Sequence, residues 1–180
     1  MRDPVDPTQL DPLVRRVVDA AARKGATLPV VVLDASTHTA EDAARALGVE
    51  LGQIVKSLVF VAPREGRGHE PVVCLVAGTN RVDLGLLAAI AGEPAIRRAT
   101  AREARDLTGF PIGGIPPLGH DRAVRVVMDP DLDRYPEVWA AAGLDRAVFP
   151  VTPAALRQLT DAVVAPLAAE AAGPAPDGRG

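Results

Sequence analysis

The sequence is poor in the residues that several common functions require. Aromatic side chains make up only 3% of the 180 residues, so the core must be aliphatic and few rings are available to stack on exposed bases. The single cysteine, Cys74, excludes an internal disulfide framework and fits a reducing compartment. A formal net charge of −3 gives no general attraction to phosphate, so any contact with nucleic acid must be local.

Long apolar runs and the usual signatures of covalent or metal catalysis are also missing. No stretch is long enough to span a bilayer, and the acidic, proline-rich start differs from a signal peptide, which predicts a cytoplasmic protein. There is no Gly-x-Ser-x-Gly elbow and no P-loop, and the three histidines and one cysteine lack zinc-ligand spacing. The sequence thus predicts no cofactor, and an enzyme of this kind would work by positioning and backbone electrostatics.

Short apolar runs and capped helices predict one α+β domain with a mixed, strongly curved sheet. Helices are expected after Asp11, Thr39, Asp83, Thr100 and Thr152, which are typical capping residues. Strands are expected at 29–33, 54–62, 71–77, 123–128 and 148–151, with an edge strand at 163–164, whereas 138–142 fits either a helix or a strand. Residues 1–167 form the predicted domain, and the Ala/Gly/Pro-rich residues 168–180 are expected to be disordered.

The stretch from Thr108 to His120 contains four glycines and three prolines. Prolines fix φ and lack an N–H donor, while glycines let a ligand approach the main chain, so the composition predicts a shaped loop. The N–H groups of Gly113, Gly114 and Ile115 remain to face a bound group, such as a developing oxyanion. A rigid connection between two strands would explain the same composition.

Lys56 lies in the middle of a β-prone run whose two faces are both apolar. The period of a strand places it on the face of Ile54, Leu58 and Phe60. Its amine must either reach water at a sheet edge or enter a pocket, where desolvation is costly unless a polar ligand meets the charge. Lys56 is one of only two lysines in the sequence, and both interpretations remain open.

Other polar residues near the loop have both a functional and a plain structural explanation. His120 and Asp129 flank the strand that leaves the loop, so either could line the same cavity. A histidine at a loop end can be incidental, and an aspartate before proline is equally typical of a turn. Four arginines just before the loop form either a solvated face or a local phosphate-binding edge: Arg97, Arg98, Arg102 and Arg105.

Several short segments follow one another in an order and spacing that resemble a known family. They are Thr39–Ala44 with Leu47–Val49, Ile54–Leu58, Gly78–Leu84, Thr108-Gly109 with Gly113–Pro117, Val127–Asp129 and Ala140–Gly143. Together they resemble the YbaK/ProX family of editing domains, which deacylate mischarged tRNA in trans or as inserts in prolyl-tRNA synthetases. The resemblance covers residues from about Thr39 to Leu159, which is most of the chain.

The resemblance implies a barrel-like sheet surrounded by helices and a pocket in which Lys56 faces the loop Gly113–Pro117. In the family, this loop holds the aminoacyl ester by its backbone amides and the lysine positions the 3′-terminal nucleotide, without a metal. The implied catalytic groups are Lys56, Gly113, Gly114 and Ile115. The implied substrate contacts are Ser57, Thr79, Thr108, Pro116, Pro117, His120, Asp129, Ala142 and Gly143. The implied partners are a tRNA acceptor end and an aminoacyl-tRNA synthetase, with no membrane.

One departure from the family bears on the substrate. Cysteinyl-specific members usually carry Ser-Pro after the loop glycines and Gly-Gly in place of Ala142-Gly143, whereas this chain has Pro116-Pro117. We therefore expect a trans-acting deacylase of tRNA-Pro carrying a small amino acid. Two alternatives remain, namely a cysteinyl-tRNA-Pro deacylase that uses the substrate thiol and a non-catalytic module that binds an acceptor end or a synthetase.

Overall fold

The computed structural model describes residues 9–64 and 68–169. Five α-helices lie in this part of the chain: α1 (Pro12–Arg23), α2 (Ala40–Leu47), α3 (Leu84–Ala91), α4 (Ala101–Thr108) and α5 (Pro153–Thr160). Each begins at its predicted cap, because the Asp11, Thr39, Asp83, Thr100 and Thr152 side chains each accept a hydrogen bond from a first-turn N–H. None of the helices among these residues is long and apolar enough to cross a membrane.

Eight strands complete the fold of the described residues. They are β1 (Val31–Val32), β2 (Val55–Arg64), β3 (Gly68–Ala77), β4 (Arg97–Arg98), β5 (Arg125–Met128), β6 (Val138–Ala141), β7 (Ala147–Val151) and β8 (Val163–Val164). The ambiguous segment at 138–142 is therefore a strand. Strand β4 was not expected from the sequence, because its two arginines carry no apolar alternation.

The strands form a five-stranded sheet in the order β4-β2-β3-β5-β8 and a three-stranded sheet in the order β1-β7-β6. The larger sheet is mixed, since β2 pairs antiparallel with β3 and β4, while β5 pairs parallel with β3 and β8. The predicted α+β class and mixed sheet are confirmed, but the predicted strong, barrel-like curvature is wrong. Within residues 9–64 and 68–169, neither sheet closes on itself, and a single parallel bridge from Ile54 to Trp139 joins them.

The largest hydrophobic core lies between the sheets, α1 and α5, and it includes the glycine- and proline-rich loop. Three loop side chains, Phe110, Ile115 and Leu118, are buried there. A second core on the other face of the larger sheet contains Cys74, whose burial raises the pKa of the thiol to about 12. The loop is thus part of the core, which distinguishes it from a flexible linker.

Asp129 is a buried carboxylate that connects the end of β5 to the last described residues. It is 1% exposed, and it accepts hydrogen bonds from the backbone N–H groups of Asp131 (2.8 Å), Leu167 (2.7 Å) and Ala168 (2.9 Å). These bonds fix Ala168, which the sequence placed in a disordered tail. From residue 170 onward, that predicted tail lies outside the described residues.

Asp129→Ala is expected to lower the free energy of unfolding by about 3–5 kcal/mol, because three backbone donors would lose a charged acceptor. The control is Asp19→Ala, at an exposed position on α1, which should change stability by about 0.5 kcal/mol or less. Urea denaturation of both variants measures the difference. Equal stability of the two variants would show that the carboxylate does not hold the C-terminal segment.

Candidate active site

A cavity of about 320 Å³ lies where the two sheets meet. The first residues of β2, the start of α2, the strands β6 and β7 and the glycine- and proline-rich loop all contribute to its lining. The lining residues are Thr37, His38, Thr39, Ala40, Ala43, Ile54, Val55, Lys56, Ser57, Leu58, Arg98, Ile112, Gly113, Ile115, Trp139, Ala141, Leu144, Asp145 and Val148. Lys56 and the loop thus meet at one cavity although 57 positions separate Lys56 from Gly113.

Lys56 is half-buried on this lining, and its Nζ donates a hydrogen bond to the main-chain oxygen of Asn80. The Asn80 amide in turn donates to the Asp131 carboxylate (2.7 Å). Burial lowers the pKa of the Lys56 amine, Glu41 partly opposes this shift, and Arg98 adds to it. An ammonium has three N–H donors, so two remain for a ligand in the cavity.

The loop presents two free backbone amides, not the three that the sequence predicted. Gly114 donates its N–H to the Pro111 oxygen (3.1 Å), which closes a turn, so the prediction that this amide faces a ligand is wrong. The N–H groups of Gly113 and Ile115 have no acceptor among residues 9–64 and 68–169, and both residues line the cavity. Ile115 is buried, and a buried amide without an acceptor is costly, so we expect a ligand or water to satisfy it. Gly113 is exposed, so its amide is open to solvent or to a ligand.

Glycine is required at both positions of the Gly-Gly pair, for different reasons. Gly113 has a φ of 92°, a conformation that residues with a side chain rarely adopt. At Gly114, a Cβ would lie only 2.7 Å from the Cα of Leu144, so a methyl group would displace the turn between β6 and β7. The pair therefore sets both the shape of the loop and its distance from the neighbouring turn.

Two side chains hold the loop from behind. The Arg16 guanidinium of α1 donates to the main-chain oxygens of Thr108 and Gly119, both at 2.9 Å, and lies 4.0 Å from the centre of the Phe110 ring. His120 shares a hydrogen bond of 2.8 Å between its Nε2 and the Pro116 oxygen. Because a carbonyl only accepts, this nitrogen must carry the proton.

Most of the predicted substrate contacts do not line this cavity, although Ser57 does. Thr79 donates to the Asn80 side chain, Thr108 donates to the Ala104 oxygen, and Asp129 binds the backbone groups already described. The remaining predicted contacts also lie outside the lining: Pro116, Pro117, His120, Ala142 and Gly143. Their positions give each of them a structural role in the loop or the adjacent strand, and a contact with substrate stays a prediction.

Sequence reasoning missed several lining residues. Asp145 and Trp139 gave no signal, because their approach to the loop depends on the pairing of β6 with β7. The sequence pattern marks Arg98 only as one of four neighbouring arginines, and one of the others, Arg97, pairs with Glu103 (2.8 Å). The Ser57 hydroxyl is buried and has no hydrogen-bond partner in the described part of the chain, so it is free to bind a ligand.

A family profile and a solved structure both relate this chain to the same protein family. A sequence profile of the aminoacyl-tRNA editing domain matches residues 34–159, which include every element that lines the cavity. A crystal structure of a candidate trans-editing enzyme for prolyl-tRNA synthetase superposes with a TM-score of 0.80 at 50% identity and covers 89% of this chain and 99% of its own.

Two curated relatives carry functional names. The multifunctional Ser/Thr-tRNA deacylase ProXp-y of Escherichia coli is 31% identical over 137 residues, which is 75% of this chain and 81% of that protein. A candidate Cys-tRNA(Pro)/Cys-tRNA(Cys) deacylase, EbsC of Enterococcus faecalis, is 28% identical over 123 residues, 68% of this chain and 73% of that protein.

The environment of His120 makes a prediction about pH. Burial lowers the pKa of His120 from its usual value of 6.5, and the nearby Arg16 adds to this effect, while the Pro116 oxygen and Asp121 oppose it. Below pH 6.5 the unfolded chain therefore binds more protons at this position than the folded one. The free energy of unfolding should fall as the pH decreases below 6.5, by at most about 1.4 kcal/mol per pH unit from this group.

The comparison is with His120→Gln, which keeps an N–H donor for Pro116 but does not titrate. Urea denaturation at several pH values between 5 and 7.5 should give a flatter profile for the variant than for the original chain. His38 and His69 are present in both proteins, so any contribution from them cancels in the difference. Parallel profiles would contradict a buried, neutral His120.

Proposed function

Because this chain belongs to the aminoacyl-tRNA editing domain family, we propose that it hydrolyses the ester of a mischarged tRNA in trans. The proposed substrate is tRNA-Pro that carries a small amino acid such as alanine, serine or threonine. The observation that carries this proposal is the cavity itself, which is lined by Lys56 and by Gly113 and Ile115, whose amides have no acceptor among the described residues. The partner is a tRNA acceptor end, and a prolyl-tRNA synthetase is a second candidate partner.

The two amides supply what an ester hydrolase needs most. Water attacks the ester carbonyl carbon, and the former carbonyl oxygen becomes an oxyanion that accepts from the N–H groups of Gly113 and Ile115. The tetrahedral intermediate then collapses, the bond from carbon to the ribose oxygen breaks, and that oxygen takes up a proton. The products are the free amino acid and a tRNA with a free terminal hydroxyl.

Lys56, Ser57 and Arg98 are proposed to bind the terminal nucleotide. The Lys56 ammonium is already fixed by Asn80, so it loses little freedom on binding. The Ser57 hydroxyl is buried without a partner, and the Arg98 guanidinium lies on the same lining. Cationic donors of this kind suit a phosphate or ribose oxygen, and they leave the ester close to the loop.

The size of the cavity supports a small aminoacyl group. Its volume of about 320 Å³ is at the lower end of the roughly 300–1,000 Å³ that ligand pockets usually have. Trp139, Leu144 and Val148 also line the cavity and restrict its space. A bulky side chain on the amino acid would compete for this space with the terminal nucleotide.

Lys56→Ala is expected to lower kcat/KM for deacylation of alanyl-tRNA-Pro by about 100-fold or more, because the ammonium that positions the substrate is lost. The chain offers a matched control in its only other lysine, Lys24, which forms an ion pair with Asp161 on the surface. Lys24→Ala should leave kcat/KM unchanged. Release of radiolabelled alanine measures both.

Gly113→Ala should also reduce turnover, because a side chain at a φ of 92° costs about 1–2 kcal/mol in the loop that carries the amides. Full activity of both variants would refute the site. Tight binding of aminoacyl-tRNA without turnover in the original chain, across all charged tRNAs, would instead support the non-catalytic module.

The cysteinyl alternative rests on the similarity to the candidate cysteinyl deacylase and predicts a different substrate ranking. In that case the substrate thiol attacks its own ester, so S-alkylated cysteinyl-tRNA-Pro should be inert while alanyl-, seryl- and threonyl-tRNA-Pro stay poor substrates. We expect the reverse, with faster hydrolysis of the alanyl, seryl or threonyl ester. Parallel deacylation assays with the four esters and the S-alkylated one decide between the two functions.

A further inference from the structure

Asp145 lies on the cavity lining, and only its backbone, not its carboxylate, makes hydrogen bonds within the described part of the fold. It lies in the turn between β6 and β7, where its main-chain oxygen accepts hydrogen bonds from the N–H (3.2 Å) and the hydroxyl of Thr37. These bonds hold the residue in place. Its carboxylate has no hydrogen bond or ion pair with any residue that the structure describes, and it is partly buried.

Asp145 lies next to Gly113 of the loop. A Cβ placed on Gly113 would be only 3.7 Å from the Cβ of Asp145, so the two residues are direct neighbours. An ester whose carbonyl oxygen binds to Gly113 and Ile115 would bring its α-carbon to the same region. The α-amino group is two bonds from the carbonyl carbon and would then be within reach of Asp145.

The lining carries charges of both signs. Arg98 is close enough to Lys56 to lower the pKa of its amine, and Asp145 is the only carboxylate on the lining among the described residues. No ion pair of up to 4.0 Å joins Asp145 to either cation. Glu41 influences Lys56 from outside the lining.

An aminoacylated tRNA end also carries charges of both signs. Its phosphodiester is negative, and its α-ammonium, at the other side of the ribose ester, is positive. With the phosphate toward the two cations, the ammonium lies toward the carboxylate, and opposite charges meet at both ends. The opposite orientation would place like charges together and would turn the ester away from the amides.

We propose that the Asp145 carboxylate binds the α-ammonium group of the aminoacyl ester and thereby selects esters with a free amine. This inference rests on the proposed deacylase function. The ion pair fixes the position of the carbonyl relative to Gly113 and Ile115. It also keeps the amine protonated, and the resulting ammonium group withdraws electron density from the ester carbon. An N-acylated ester has no positive charge at this position, so peptidyl-tRNA is excluded.

The test compares two esters that differ only in the amine. Lactyl-tRNA-Pro carries a hydroxyl in place of the ammonium of alanyl-tRNA-Pro and has the same methyl side chain. Loss of a charge-assisted hydrogen bond should lower kcat/KM of Asp145→Asn for the alanyl ester about 10- to 100-fold, with less than about threefold change for the lactyl ester. The exposed Asp19→Asn is the control and should change neither rate.

The possible outcomes separate the two levels of the proposal. Equal losses for both esters in Asp145→Asn would overturn the ammonium role, because the carboxylate would then act on water or on the loop. Failure of the original chain to hydrolyse any ester would overturn the proposed function itself.

A binding measurement gives a second readout that does not need turnover. With the original chain, the Kd values of non-hydrolysable 3′-amide analogues of alanyl- and lactyl-adenosine should differ about 10-fold or more. Asp145→Asn should bind the two analogues with about equal affinity. An unchanged ratio in the variant would contradict the proposal. Because the Asp145 side chain makes no hydrogen bond within the described residues, the isosteric amide should leave the melting temperature unchanged.

Discussion

The hydrogen bonds of Arg16 to both ends of the glycine- and proline-rich loop are the interaction on which the rest of the site depends. One guanidinium joins the oxygens of Thr108 and Gly119, stacks on Phe110 and forms an ion pair with Asp121 (2.8 Å). A planar fork with five donors can make all of these contacts at once, whereas an ammonium could not. With its ends joined, the loop keeps Ile115 in the core and the free amides on the cavity.

The cavity itself follows from the way the two sheets meet. Within the described part of the chain, one bridge, between Ile54 and Trp139, joins them, and the cavity next to it is also lined by residues of α2 and the loop. This arrangement brings Lys56 and the loop to one cavity. In the proposed mechanism, the site selects its substrate by where it places charge, and the chemistry depends on two peptide N–H groups.

The sequence predicted the local parts of this structure well. Helix caps, β-prone runs and the loop composition are encoded by residues close in the chain, so α1 to α5 begin where expected. The unusual lysine in an apolar strand also indicated part of the lining. Arg16, Asp145 and the Gly114 turn gave no such signal, because their contacts join residues about 30 to 100 positions apart or depend on the exact φ of a glycine. A strongly curved, barrel-like sheet was expected and is wrong, because sheet order and curvature are global properties that local alternation does not encode.

The burial of Cys74 has a practical consequence. It is the only thiol in the sequence, it has 0% exposure, and its raised pKa leaves almost no thiolate at neutral pH. Maleimide reagents should therefore not react with Cys74 in the folded chain. A cysteine introduced on the surface would then be the sole attachment point for a fluorophore or a nitroxide spin label. Docking of an RNA ligand could then be followed by distance spectroscopy without first removing any native residue.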